Sequence, residues 1–152
     1  DLSYAEGKTI VTVNGQDVST EIRTPAVTKI VSQVARLAPV REKMVVLQRR
    51  MAERGAIVMD GRDIASHVLP NADVKIFLTA SIEERAQRRW REMKGKGYDV
   101  DLAALQKDIA ARDKADSERK ISPLVKTEDA VLLDTTGMSI AEVVAAILDM
   151  CR

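Results

Sequence analysis

Aromatic residues are scarce in this sequence, where they make up 3% of the 152 residues. Proteins that bind single-stranded nucleic acid stack bases on aromatic side chains, so the composition disfavours that class. A large charge of one sign is lacking as well, because 24 basic and 23 acidic residues leave a formal net charge of +1. A protein that coats a polyanion depends on many phosphate-neutralising cations. Any anion site must therefore be a local cluster of arginines, and we expect no nucleic-acid partner.

Cysteine and histidine occur once each, as Cys151 and His67. A single cysteine cannot form an intramolecular disulfide, and we therefore expect a cytoplasmic protein. The sequence also lacks a signal peptide and any apolar run of membrane-spanning length, so no membrane partner is expected. Apolar residues nevertheless make up 45% of the chain. That content suits one domain, or a core that carries a modest insertion.

A β-hairpin is predicted over residues 8–18. Asn14 and Gly15 separate two strand-like segments, and this dipeptide supplies the positive φ angles of a type I′ turn. The triplet GKT at 7–9 resembles the end of a phosphate-binding P-loop. That motif requires a glycine where Leu2 stands and a strand before it, so we reject the P-loop and predict a turn.

Two helices are predicted after the hairpin. Thr24 and Pro25 suit the cap and the first position of the first helix. Pro39 ends this helix and opens the second, which Gly55 stops. The methionines of the second helix are expected to fill a core. The hairpin and the two helices have about the size of an inserted subdomain, which we place at residues 1–54.

Residues 55–152 alternate short apolar runs with helical patterns, which predicts an α/β fold with a parallel sheet. Helices are expected to begin after Ser81, Asp101 and Ser139, each of which is a good N-cap residue. The buried strands that we predict are 57–59, 74–78 and 130–133.

The strand predicted at 57–59 leads directly into Asp60, Gly61, Arg62 and Asp63. In open α/β sheets, ligands bind beyond the carboxyl ends of the strands. An arginine there can hold a phosphate through two hydrogen bonds, the second carboxylate can bind a base or a sugar, and the first can hold a metal ion or its waters. The alternative is a glycine turn followed by a solvated Arg–Asp pair.

Three charged residues further along are spaced for one face of a helix. Arg112, Asp116 and Arg119 are four and then three positions apart. Two guanidiniums around one carboxylate suit a phosphorylated ligand that carries hydroxyls, and a solvated ladder of salt bridges is the alternative. Ser32 and Arg41 form a weaker pair that can bind a base edge, although Ser32 can equally hydrogen-bond to its own helix.

Taken in order, these segments resemble bacterial cytidylate kinases, which phosphorylate CMP and dCMP from ATP. The ordered series is highly specific, whereas each segment alone is not. The matching segments are GQDVSTEIR at 15–23, VSQV at 31–34 with VR at 40–41, DGRDI at 60–64, LPNADVKIFLTA at 69–80, ERAQRR at 84–89, ARDKADSER at 111–119 and SPL at 122–124.

The resemblance implies a P-loop nucleoside-monophosphate kinase-like parallel sheet with helices on both faces. It also implies an inserted NMP-binding subdomain (1–54) on a kinase core (55–152) with a helical lid at about 95–121. The substrate-binding residues that it implies are Ser32, Arg41 and Asp63 for cytosine, Arg62 for the CMP phosphate, Arg112 and Asp116 for the ribose, and Arg119 for the phosphates. Arg62, Arg112 and Arg119 would also serve catalysis. Asp60 would help to hold the Mg²⁺ that accompanies ATP.

The sequence departs from the family pattern in three places. It contains no opening strand and Gly-rich loop with Lys and Ser/Thr, Ala65-Ser66 replaces the usual Gly-Thr, and Ala115 stands where the lid often has an arginine. We therefore expect the C-terminal portion of a cytidylate kinase that lacks the N-terminal P-loop segment and is inactive alone. The complete enzyme is expected to be a monomer. The alternatives are a CMP-binding, catalytically inactive kinase-derived module, a kinase for another nucleoside monophosphate, and an RNA-binding α/β domain.

Overall fold

The computed structural model describes residues 1–35, 37–53 and 55–152, with only the backbone of residues 29 and 32. These residues form two units, Asp1–Met44 and Val45–Arg152. The subdomain boundary that the sequence places after residue 54 stays a prediction.

The first unit begins with an antiparallel sheet in the order β1-β2-β3. Its strands are β1 (Leu2–Ala5), β2 (Lys8–Val13) and β3 (Gln16–Asp17). The predicted hairpin is confirmed as β2 and β3, and Asn14 and Gly15 both have positive φ, at 52° and 80°. The sequence did not predict β1, which pairs with β2 along its whole length. Gly7 of the GKT triplet lies in the turn between these two strands, as predicted, and Lys8 and Thr9 begin β2.

Helices α1 (Pro25–Val34) and α2 (Ala38–Ala52) follow a short 3₁₀ turn at Glu21–Arg23. The Thr24 hydroxyl accepts a hydrogen bond from the backbone N–H of Val27, as predicted for a helix cap. The prediction that the methionines of α2 fill a core is wrong, since Met44 and Met51 are both exposed. Helical spacing identifies an apolar face, but it supplies nothing to cover that face.

The second unit contains the parallel sheet. Strands β4 (Ile76–Thr79) and β5 (Val131–Asp134) pair in parallel over four residues each. With the helices around them they confirm a mixed α/β fold that contains a parallel sheet. The helices of this unit are α3 (Ile82–Gly95), α4 (Leu102–Ser117) and α5 (Ile140–Met150).

The predicted caps of these three helices are all present. The side chains of Ser81 and Asp101 accept hydrogen bonds from the backbone N–H groups three residues ahead, at 3.1 and 2.7 Å. Ser139 and Glu142 form a complete capping box, in which each side chain accepts from the backbone of the other residue. Each cap fixes where its helix begins, and the start of α3 determines the position of Arg85.

The strand predicted at 57–59 is wrong. Residues 56–60 have no strand hydrogen bonding, and Val58 is 98% exposed. Gly55 and Ala56 both have positive φ, at 70° and 48°, so the chain turns sharply before the apolar run. Among the described residues, no strand pairs with this run, since β4 pairs only with β5 in its sheet. An apolar run becomes a strand only where another strand accepts its hydrogen bonds.

Fully buried apolar side chains are few among the described residues, and most of them lie on α3 or at the two opposite ends of the β4–β5 sheet. Ala80 and Ala130 are buried at the strand ends, and Ala86 and Met93 are buried on α3. Helices α3 and α4 pack against each other, and the hydrogen bond between Arg85 and Asp113 places the C-terminal half of α4 beside the first turns of α3. No helix in the described part of the chain has the length and apolar content needed to cross a membrane.

Candidate functional site

Seven charged side chains of the second unit form one connected group, which we call the Arg–Asp cluster. It is built by the loop after Asp60, the first turns of α3, and the C-terminal end of α4 with the residues that follow it. Its members are Arg62, Asp63, Arg85, Arg112, Asp113, Asp116 and Arg119.

A tight loop presents the first two members of the cluster. A Cβ atom on Gly61 would lie 2.9 Å from the Ile64 side chain, so the turn is closed to larger residues. Asp63 then precedes one π-helical turn, Ile64–Val68, and its backbone oxygen accepts from the N–H groups of His67 and Val68. The Asp63 side chain makes no capping hydrogen bond to that turn and instead pairs with Arg119. Single π-helical turns are frequent at functional sites.

Asp116 lies at the centre of the cluster and is only 13% exposed at its side chain. Its oxygens lie 3.4 Å from Arg62 Nε, 3.6 Å from Arg119 Nη1 and 3.9 Å from Arg112 Nε. The structure therefore brings together the three residues that their helical spacing predicted, and it adds Arg62 from the loop. All these distances exceed that of a charged hydrogen bond. Among the residues that the structure describes, none donates a hydrogen bond to the buried Oδ2 of Asp116.

Arg119 lies just beyond α4 and is held by the chain that follows it. Its Nε donates to the carbonyl of Ser122, a buried residue with a positive φ of 50°. The N–H of Leu124 donates to the backbone oxygen of Asp116 at 2.8 Å, which folds this segment back onto the helix. Arg119 Nη2 lies 3.7 Å from Asp63 Oδ1. The two ends of the cluster are thus joined through a largely buried ion pair.

Sequence reasoning missed two members of the cluster, Arg85 and Asp113. Arg85 Nη1 donates to Asp113 Oδ2 at 2.6 Å, and its Nε donates to the backbone oxygen of Ala80 at 2.9 Å. The other oxygen of Asp113, Oδ1, lies 3.6 Å from Arg62 Nη1. The only local signal was the three-residue spacing of Asp113 and Asp116, which puts both carboxylates on one side of α4.

The composition of the cluster favours an anion. Four guanidiniums face three carboxylates, which leaves one positive charge in excess. Within the described part of the chain, Arg62 donates no hydrogen bond and is held only by ion contacts of 3.4 and 3.6 Å. Its guanidinium therefore keeps its donors for a ligand. Phosphate or carboxylate oxygens would suit it, since the planar fork of arginine matches them.

An open groove of about 1420 Å³ adjoins part of the cluster. Arg62, Asp63, Arg85 and Asp113 belong to its lining, together with the exposed run 56–60 and the residues of β4. The lining is mostly apolar, with the charges supplied by these few side chains, as is usual for a small-molecule site.

The remaining predicted site residues lie elsewhere or outside the described atoms. Arg41 belongs to the first unit, where its Nη1 donates to the Ala35 carbonyl at 3.0 Å. The side chain of Ser32 lies outside the described residues, and so does the prediction that it binds cytosine. Asp60 is exposed at the start of the loop. Over the described parts of the chain, no three histidine, cysteine or carboxylate side chains are grouped so that they could hold a metal ion.

Comparison with known proteins connects this geometry to a family. Residues 1–152 match the family described as cytidylate kinase. The chain belongs to the cytidylate kinase family. It is similar to proteins named cytidylate kinase from Bacillus velezensis, at 56% identity over 149 residues, and from Bacillus cereus, at 55% identity over 150 residues.

These two alignments cover 98% and 99% of this chain, and 66% and 67% of the two relatives. The chain therefore spans about two thirds of the length of the curated cytidylate kinases that it matches. The family predicted from the ordered motifs is confirmed. The roles of the individual residues stay predictions.

Proposed function

We propose that this chain carries the nucleotide-accepting part of a cytidylate kinase, which transfers the γ-phosphoryl group of ATP to CMP or dCMP in pyrimidine nucleotide metabolism of the cytoplasm. The observation that carries the proposal is the Arg–Asp cluster. It combines an excess positive charge, a guanidinium with unused donors and a buried carboxylate oxygen with an unused acceptor. A nucleoside monophosphate offers the complement of all three, because its phosphate accepts hydrogen bonds and its sugar hydroxyls donate them.

We assign the roles by combining these contacts with those that the resemblance implies. Arg62 binds the CMP phosphate through its fork, and Arg119 approaches the same charge from beyond α4. Asp116 accepts from a ribose hydroxyl at its Oδ2, with Arg112 beside it. Asp63 contacts cytosine, as the resemblance implies. Charge spreads over the transferred phosphoryl oxygens in the transition state, so positioned guanidiniums lower the barrier mainly by electrostatic stabilisation.

Asp60 fits a magnesium ion that arrives with ATP. Mg²⁺ keeps several waters and takes one or two carboxylates together with substrate phosphates, so it needs no cage of protein ligands. Asp60 is one exposed carboxylate two positions before Arg62 in the chain, which is compatible with this mode of Mg²⁺ coordination. When bound, the ion neutralises charge on the phosphates.

The 152 residues alone are proposed not to transfer phosphate. They contain no Gly-rich loop followed by Lys and Ser/Thr, which in P-loop kinases cradles the β- and γ-phosphates and contributes a metal ligand. Conversion of CMP to CDP by a purified chain of verified mass would contradict this part of the proposal. Such turnover would not contradict the proposal that the chain binds CMP.

The proposal is tested by calorimetric titration of the chain with CMP, UMP, AMP and ATP in parallel. CMP is expected to bind more tightly than UMP and AMP. Arg62→Gln should weaken CMP binding by about tenfold or more, since a charged hydrogen bond contributes roughly 1.5–3 kcal/mol. Arg91→Gln is the matched control, because Arg91 is exposed on α3 and has no ion pair among the described residues. Equal affinity for AMP, or an unchanged affinity in Arg62→Gln, would refute the assignment.

A further inference from the structure

One carboxylate of the Arg–Asp cluster has an arrangement unlike that of the others. Asp113 uses one oxygen for a short hydrogen bond to Arg85, at 2.6 Å, and the other for a looser contact with Arg62, at 3.6 Å. One oxygen of Asp113 is therefore held by Arg85, whereas the contact of the other oxygen with Arg62 is long enough to give way to a ligand. None of the roles that the proposed function assigns uses Asp113 or Arg85.

The fixed side is anchored in the core of the second unit. Arg85 lies in the first turns of α3, whose start is set by the Ser81 cap. Its Nε donates to the backbone oxygen of Ala80, a buried residue directly after β4. The end of the sheet, Arg85 and Asp113 thus form a continuous chain of hydrogen bonds.

The exchangeable side meets the arginine that is proposed to bind phosphate. Arg62 is in contact with Asp113 and Asp116 and donates no hydrogen bond to any described residue. An arginine side chain has many rotamers, and binding a ligand with a disordered one costs the entropy of ordering it. The two carboxylates contact the guanidinium at Nη1 and at Nε, which restricts its orientation without a hydrogen bond from either donor.

We propose that Asp113 is a positioning residue that, backed by Arg85, orients the Arg62 guanidinium for the phosphate of the acceptor nucleotide. The inference rests on the proposed function for the identity of that ligand. Asp113 itself touches no substrate. Substitution of Asp113 is therefore expected to change the affinity for the phosphate group but not the affinity for the nucleoside part of the ligand.

The test compares CMP with cytidine, which lacks the phosphate, in calorimetric titrations of the wild-type chain and of Asp113→Asn. The substitution should weaken CMP binding by about three- to tenfold, as expected for losing the preorganisation of one long side chain. Cytidine binding should change less than about twofold, because the contacts to the sugar and base stay in place. Asp113→Glu, which keeps the charge, should recover part of the loss.

The matched control is Asp108→Asn. It removes the same charge from an exposed position on α4 that has no ion pair among the described residues. Each variant removes one negative charge, so a long-range effect of net charge would strengthen the binding of the anionic CMP equally in both. An unchanged CMP affinity in Asp113→Asn would overturn the proposal. A tighter CMP affinity would overturn it as well, because it would show that Asp113 competes with the phosphate for Arg62. An equal loss for cytidine would overturn it too, since that loss would reflect general damage to the site.

A second measurement needs no ligand. In the chain with ¹⁵N-labelled arginine, Asp113→Asn should shift the Nε–H signals of Arg62 and Arg85, whereas Asp108→Asn should shift neither. If the wild-type chain binds CMP no better than cytidine, the proposed function fails, and the arginine signals alone decide whether Asp113 holds Arg62. If the Arg62 signal stays in place in Asp113→Asn, the positioning proposal is wrong even where CMP binds.

Discussion

The ion pair between Asp116 and Arg119 should stabilise the second unit, and an exposed pair at the same end of α4 should not. The nearest atoms of Asp116 and Arg119 are 3.6 Å apart, and their side chains are 13% and 10% exposed. Lys114 and Glu118 form a pair of similar spacing at 4.0 Å, but their side chains are 74% and 65% exposed. The two pairs differ mainly in burial, so the exposed Lys114–Glu118 pair serves as the control for the buried pair.

The magnitude follows from the local dielectric. Two unit charges at such a distance attract by about 4–5 kcal/mol at an effective dielectric constant of about 20, and by about 1 kcal/mol in water. The gross figure for the buried pair is reduced by desolvation, and also because Asp116 keeps Arg62 and Arg112 as partners when Arg119 is lost. We expect a coupling free energy of about 1–2 kcal/mol for Asp116–Arg119. For Lys114–Glu118 we expect less than about 0.5 kcal/mol.

The assay is a double-mutant cycle for each pair, with Asp116→Asn and Arg119→Gln in one and Lys114→Gln and Glu118→Gln in the other. Urea unfolding is followed by the fluorescence of Trp90, the single tryptophan, which lies on α3, a helix that packs against α4. Added salt should reduce the coupling of the exposed pair first. Equal coupling energies for the two pairs, or none for the buried pair, would refute the reasoning that burial gives the cluster its strength.

Three smaller effects should accompany this one. Arg49→Met should lower the free energy of unfolding by about 1–2 kcal/mol, because it removes the donor to the backbone oxygen of the buried Val68. Arg50→Met should have almost no effect in the same urea titration, because Arg50 donates no hydrogen bond to any described residue. Ser139→Ala should cost about 1 kcal/mol through loss of the α5 cap, measured by thermal and urea unfolding. The Ser139 backbone N–H, followed by its hydroxyl, lowers the pKa of Glu142. The stabilisation by the ionised Glu142 should therefore be complete above the unfolded glutamate pKa of about 4.3 and disappear as the pH falls through the lower folded pKa. Glu142→Gln should abolish this part of the pH dependence of the unfolding free energy.

The elements predicted correctly from sequence are those fixed by neighbours along the chain. Asn14 and Gly15 determine a turn by their own backbone preferences, and Ser139 caps a helix through an N–H three residues away. Their outcomes depend little on the rest of the fold. The pairing of Asp116 with Arg119 also joins residues three positions apart, although Arg119 lies just beyond α4 and is held there by the carbonyl of Ser122.

The members of the cluster that escaped prediction depend on distant neighbours. Arg85 and Asp113 are 28 positions apart, and they meet because α3 packs against α4. Neither spacing nor composition encodes that contact. Read locally, Arg85 is one arginine among several on a charged helix, and such residues are usually solvated. The resemblance to cytidylate kinases identified the motif around each residue without indicating that these two side chains bind each other.

The segment 56–60 shows that the structure of a whole element can also depend on distant residues that its local sequence does not specify. Its apolar, β-branched composition favours a strand, yet a strand also needs a partner for its backbone groups, and the described residues place none there. In the chain as it stands, the amides of residues 57–60 should therefore exchange with solvent at rates close to those of an unfolded peptide. The amides of Phe77 and Thr79 in β4, which face β5 in the parallel ladder, should be protected by orders of magnitude in the same hydrogen-exchange experiment. Protection of residues 57–60 equal to that of β4 would show that composition had determined the structure here without a partner strand in the described part of the chain.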